Sequence, residues 1–235
     1  MTKVMVTVVK RCYYWPRGVL TVISTGVAVV SFVLGLYHGM GSDHLLAITT
    51  LVSRSASLRR AWLLGLRFAL GHMGILLALG ALAIYFNVVI PEGFEKWTEV
   101  LGGGLLVLLG AWLLLDLAMG RVGEVHLHPH LHGRDPRHEH SHTAAVLGGL
   151  FAVSGLRSLV LMVPIAVAQS SVLLSAAYIL VFGAGLVLSM SVYAYLVSRV
   201  YGLARGHDAV FKGTTAVTGL AGIALGVLWM VNRLG

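Results

Sequence analysis

Apolar residues run through this chain in long stretches near 18–37, 38–53, 61–89, 99–119, 144–168, 172–197 and 214–231, separated by short polar or charged segments. All but the second match the roughly 17 to 25 residues that a helix needs to cross a bilayer. None shows the alternation with a period of two that marks a membrane β-barrel, so the expected spans are helices. The pattern predicts an all-α polytopic membrane protein with about seven transmembrane helices, or six if 18–53 makes one crossing and a re-entrant piece. Around the fourth stretch, Leu108-Leu109-Gly110-Ala111-Trp112 resembles Ala224-Leu225-Gly226-Val227-Leu228 around the seventh, and the same offset pairs the second stretch with the fifth and the third with the sixth. Two three-helix units of opposite orientation would follow, an arrangement found in secondary transporters with a site near the midplane.

Polar punctuation divides the chain into four parts. Residues 1–17 form a basic segment, 18–119 a first membrane half, 120–143 a histidine-rich loop and 144–235 a second membrane half. With 57% hydrophobic and 11% charged residues, 235 residues lack the polar surface to coat a soluble globule. The net charge of +8 could suggest nucleic acid, but the basic residues sit in the short segments between spans, where they set orientation, and no nucleic-acid partner is expected. If seven full crossings start from a cytoplasmic N-terminus, Lys3, Lys10, Arg11, Arg17, Arg54 and Arg59 fall inside, as do the basic residues of the loop, and only Lys96 and Arg233 fall outside. The expected location is the plasma (inner) membrane, multi-pass, with the N-terminus and histidine-rich loop cytoplasmic. The single cysteine, Cys12, can form no internal disulfide.

Against this apolar background, His38-Gly39-Met40-Gly41-Ser42-Asp43-His44 stands out. An ionised side chain at the bilayer centre costs about 2.5 to 3.5 kcal/mol on insertion scales, so an Asp kept there beside two imidazoles points to function. On a continuous helix, at about 100° per residue, His38 and His44 would point about 120° apart and could not share an ion. Convergence requires a break, and Gly39 and Gly41 allow one. Imidazole and carboxylate donors suit a borderline divalent ion such as nickel, cobalt or zinc better than calcium or magnesium. Met40 and Met73 are softer donors nearby, although methionine in an apolar helix usually packs. Counted from the polar segment at 54–60, His44 and His72 lie at similar depth, about 15 to 18 Å at 1.5 Å per residue. The expected metal ligands are therefore His38, Asp43, His44 and His72.

Arg157 falls near mid-depth in the fifth stretch and, on the repeat alignment, opposite Asp43. It would repel a cation unless paired with Asp43, so it is a candidate coupling residue; Gln169, Ser170, Ser189 and Ser191 are candidate path residues. In the loop, His126, His128, His130, His132, His138, His140 and His142 account for seven of the eleven histidines. That composition predicts capture of transition metal ions. His207 stands alone in a basic segment and is expected to be solvated.

The residues Gly35-Leu36-Tyr37-His38-Gly39, Asp43-His44-Leu45, Ala47-Ile48, Arg54 and Leu70-Gly71-His72 resemble the signature of the nickel/cobalt transporter family, closest in layout to its urease-accessory-type nickel permease branch. The resemblance implies a small polytopic membrane protein in which His38, Asp43, His44 and His72 bind a transported nickel or cobalt ion. It also implies a secondary transporter and not an enzyme, with no cofactor, a divalent metal ion (nickel or cobalt, with zinc as a further candidate) as substrate, and a cytoplasmic metallochaperone as a candidate partner. Gly41 stands where family members commonly have a further Asp. No Gly-x4-Gly-Lys-Ser/Thr loop occurs, so ATP hydrolysis by this chain is not expected. Two other classes stay open at this level: an exporter of an anion centred on Arg157, and an intramembrane metal-dependent enzyme, against which stands the lack of a His-Glu-x-x-His motif.

Overall fold

A computed structural model describes residues 17–55, 57–86, 92–122, 142–154 and 172–234. Among them all regular structure is helical, in seven elements: α1 (Arg17–Gly39), α2 (Ser42–Ser53), α3 (Leu58–Phe86), α4 (Glu92–Ala118), α5 (His142–Ser154), α6 (Val172–Ala204) and α7 (Asp208–Leu234). Four stretches are long and apolar enough to cross a membrane on their own, Leu58–Leu82, Lys96–Ala118, Leu173–Ala204 and Asp208–Leu234. Their outward faces carry large apolar residues such as Leu108, Leu173 and Val217, as a lipid-facing surface requires. The chain is a multi-pass membrane protein.

The first two apolar stretches do not make two full crossings. Helix α2 has 12 residues, about 18 Å, too short to span alone. It meets α1 at a bend of 55° across the break at Met40 and Gly41. The direction of travel survives the bend. Gly35 packs on Phe182, Gly39 on Leu186 and Ser189, Thr49 bonds Tyr193, and the carbonyl of Ser55 accepts from Arg205, so α1 and then α2 follow α6 steadily towards its C-terminal end. The pair is one broken crossing. The start of α1 and the segment at Arg54 thus lie at opposite ends of the helix bundle. Helix α4 ends beside Arg54, so the start of α1 and the end of α4 also lie at opposite ends of the bundle.

Close packing follows from small residues, the usual device where lipid gives no hydrophobic drive between helices. Gly103 seats the Gly226 carbonyl and Gly110 the Gly219 carbonyl, locking α4 antiparallel to α7. Gly103 and Gly110 stand 116 residues before Gly219 and Gly226, the offset visible in the sequence, and each contacts the counterpart of the other. The same reciprocity holds elsewhere. Gly35 meets Phe182 and Gly185 meets Phe32 between α1 and α6, while Gly148 meets Phe68 and Gly71 meets Ala145 between α5 and α3. Positions in α1 map onto α5 by 113 residues, and those in α3 onto α6 by 114. Both of these pairs run parallel, and the two members of each repeat pair run in opposite directions. The helices are thus arranged as two inverted three-element units, α1/α2 with α3 and α4, and α5 with α6 and α7.

Helix α4 stops at Gly120, whose φ of 67° places it in the left-handed region that glycine enters without strain. Just before this stop, Asp116 meets Arg54 at the end of α2, Oδ2 to Nη2 2.6 Å, and the guanidinium lies 3.8 Å over the Trp112 ring. Burial lowers the pKa of Arg54 while the Asp116 carboxylate opposes that shift; arginine stays charged at physiological pH. Helix α2 is thereby pinned at its outer end to both α4 and α6.

Candidate metal centre

The break between α1 and α2 faces α3 at mid-bundle. Helix α1 closes with Gly41 N–H donating to the His38 carbonyl at 2.9 Å, and α2 restarts with Leu45 N–H donating to the Gly41 carbonyl at 3.0 Å. A Cβ on Gly39 would collide with the Ser189 hydroxyl and the Leu186 carbonyl of α6, so the end of α1 can sit against α6 only without a side chain there. At Gly41 a Cβ would stand 2.7 Å from Asp43 Oδ1 and 2.9 Å from His44 Nδ1, so this glycine leaves room for the pair that follows it.

The geometry brings His38, His44 and His72 together, with one ligand atom from each lying within 4.8 Å of the others. Nε2 of His72 is 3.2 Å from Nε2 of His38 and 3.3 Å from Nε2 of His44. Nitrogens bound at about 2.0 to 2.1 Å to one tetrahedral ion stand about 3.3 to 3.4 Å apart. The two measured edges match that spacing. Three basic nitrogens this close repel unless a proton or a metal cation lies among them. His44 and His72 are fully enclosed, at 2% and 0% exposure, so any such cation is held away from lipid and bulk water.

Second contacts orient the rings. Nδ1 of His72 donates to the Gly148 carbonyl of α5 at 3.1 Å, which leaves Nε2 as the lone-pair donor facing the centre. Nδ1 of His44 lies 2.8 Å from Asp43 Oδ1. The buried carboxylate therefore favours the proton on Nδ1 and frees His44 Nε2 as well. Asp43 was expected as a ligand, and here it contacts the far side of His44, outside the group of converging atoms. Relative to the three converging nitrogens it stands where carboxylates that orient metal-binding histidines commonly stand.

Two phenylalanines complete the enclosure. The Phe182 ring lies 5.8 Å from that of His38, and the Phe68 ring 6.3 Å from that of His72. Met73 packs with Leu76, Ile179, Phe182 and Leu186 around a small apolar pocket, and Met40 is exposed, so neither methionine is placed as a donor. Ser189 donates to the Leu186 carbonyl at 3.0 Å beside Gly39. The Ser191 hydroxyl is buried and finds no hydrogen-bond partner among the described residues. His207 is exposed, as expected. Arg157, Gln169, Ser170, His126, His128, His130, His132, His138 and His140 lie outside the described residues, and His142 opens α5 with its side chain outside them.

Sequence reasoning missed the Gly148 carbonyl, the Arg54–Asp116–Trp112 cluster and the bond between Thr49 Oγ1 and Tyr193 at 2.8 Å. The first is a backbone group and leaves no signal in side-chain identity. Asp116 could have been found, because it is an acidic residue inside an apolar run and so calls for a cation.

Compared with known proteins, the chain matches no family model and no solved structure. It is similar to the urease accessory protein UreH of Bacillus sp. (strain TB-90), at 29% identity over 210 residues, which cover 88% of this chain and 91% of that protein.

Proposed function

We propose that the protein is a secondary transporter of a divalent transition metal ion, nickel first and cobalt second, which moves through the site formed by His38, His44 and His72. The observation that carries this reading is the convergence of three imidazoles, with His72 Nε2 3.2 and 3.3 Å from Nε2 of His38 and His44 and all three ligand atoms within 4.8 Å, on a break in a membrane-crossing helix. A broken helix at mid-bundle between inverted repeats is the usual setting of a transported ion. The resemblance of the His38–His44 and Gly71-His72 segments to nickel/cobalt transporters and the likeness to a urease accessory protein both favour nickel, and a role in supplying it for urease maturation.

In this reading the three histidines replace part of the ion's hydration shell, while Asp43 holds the His44 ring and offsets some of the charge of the ion. The open fourth position keeps a water or accepts the next ligand. The ion moves down its gradient or in exchange for protons. The end bearing Arg54, Arg59, Arg60 and Arg121 faces the cytoplasm, so the histidine-rich loop collects or delivers ion there and the segment before α1 lies outside. A cytoplasmic metallochaperone is the partner this arrangement suits, and the protein acts without a resident cofactor and without enzymatic turnover.

The test is flux of radioactive nickel and cobalt into proteoliposomes, for the wild type and His44→Ala, with and without a pH gradient. Flux that depends on His44 is expected. Equal flux in the two proteins would remove the site from the mechanism.

A further inference from the structure

Phe68 and Phe182 occupy equivalent positions, 114 residues apart in the repeat relation that joins α3 to α6. These helices run antiparallel, with Gly65 against Ala194, Met73 against Gly183 and Leu58 against Gly202. Along this pairing His72 and Leu186, themselves counterparts, fall at the same height, which is the midplane of the repeat. Phe68 precedes His72 by four residues, and Phe182 precedes Leu186 by four. Because the helices point in opposite directions, the two rings lie about 6 Å on either side of the midplane at 1.5 Å per residue. Phe68 stands on the side of Arg54 and Phe182 on the side from which α1 enters.

Their surroundings repeat as well. Phe68 packs on Phe151 with centroids 5.7 Å apart, and Phe182 packs on His38 at 5.8 Å; Phe151 and His38 are counterparts, 113 residues apart. Both rings are buried, at 0% and 4% exposure. A small apolar pocket formed with Met73, Leu76, Ile179 and Leu186 borders Phe182.

We infer that Phe68 and Phe182 are paired gates of the histidine site, each closing it towards one face of the membrane. This deepens the transport reading and rests on it, since a site that passes an ion needs a barrier on each side and must open them in turn. The inverted relation supplies both barriers from one ancestral position. An aromatic ring suits the role: it excludes water when packed and clears the path by rotation about χ1 and χ2.

The test places a single thiol between the rings. In a Cys12→Ser background, His72→Cys is combined with Phe68→Ala, Phe68→Leu, Phe182→Ala or Phe182→Leu. The rate of modification by a charged, membrane-impermeant thiol reagent is then measured in right-side-out and inside-out vesicles. The leucine variants keep an apolar filler and serve if an alanine variant fails to give a monodisperse peak on size-exclusion chromatography. Loss of the Phe68 ring should raise the rate at least tenfold from the Arg54 face only, and loss of the Phe182 ring from the other face only. Acceleration from the same face for both, or from neither, overturns the assignment. Nickel flux by the otherwise wild-type chain is measured alongside. Opposite-face acceleration without nickel flux would keep the gates and discard the cargo, whereas nickel flux without face-specific acceleration would keep the cargo and discard the gates.

Discussion

His44 uses both ring nitrogens with side chains: Nε2 faces His72 and Nδ1 faces the Asp43 carboxylate. Replacing it with alanine removes one of three donors, and nickel binding measured by isothermal titration calorimetry in detergent is expected to vanish while the helical circular dichroism spectrum is kept. Asp43→Asn should behave differently. The amide keeps the size of the carboxylate but not its charge, so His44 still reaches the ion and affinity is expected to fall by about 10- to 100-fold without being lost, as for outer-shell partners of metal-bound histidines. Equal losses for the two variants would place Asp43 among the direct ligands. The three histidines could be read from the sequence because polar groups are costly inside a membrane. The division of labour between ligand and outer partner could not, since a carboxylate in either role carries the same desolvation cost.

At the scale of elements, the site depends on how closely α3 and α5 approach. Gly148 serves twice: its carbonyl accepts from His72, and its missing side chain lets the Phe68 backbone come near. Gly148→Ala should push the two helices apart, with a cost of about 1 to 3 kcal/mol for overpacking, and weaken nickel binding through His72. Gly104→Ala is the control, because a Cβ there meets nothing within 4 Å. Thermal unfolding of the purified proteins should separate the two, with a lower midpoint for Gly148→Ala alone. Asp116→Asn leaves Arg54 without its ion pair at the end of α2, and a loss of about 1 to 3 kcal/mol is expected in the same assay, towards the lower end because Arg54 retains 28% side-chain exposure. The need for a break near Gly39 and Gly41 was legible from the angular separation of His38 and His44. The 55° bend was not, because hydropathy records the length of an apolar run and not its direction.

For the whole molecule, the broken first crossing changes which segments share a face. In a Cys12→Ser background, cysteines placed at Arg17 and Arg121 should be labelled by an impermeant reagent from opposite sides of intact vesicles, with position 121 on the cytoplasmic side. Labelling of both from one side would restore two full crossings before α3. Charge counting alone favoured a common side, since it assigned every apolar stretch a full crossing. The duplication was visible in the likeness of 108–116 to 224–232, yet its inverted character became clear only from the reciprocal glycine seats. The second repeat has Phe151 and Leu186 at the counterparts of His38 and His72, so the histidine cluster belongs to one repeat and its packing frame to both.

Under the transport reading, the break at Met40 and Gly41 also bears on how firmly an ion would be held. Helix α1 ends and α2 begins at the site, so the partially negative terminus of one macrodipole and the partially positive terminus of the next, each about half an elementary charge, meet beside the cation. The first attracts it and the second repels it, and the Asp43 carboxylate, in the first turn of α2, counters that repulsion. A complete cage of anionic donors would trap a divalent ion; under the transport reading the opposed dipoles and a single carboxylate would keep the well shallow. On that reading, the junction would limit residence time rather than capture.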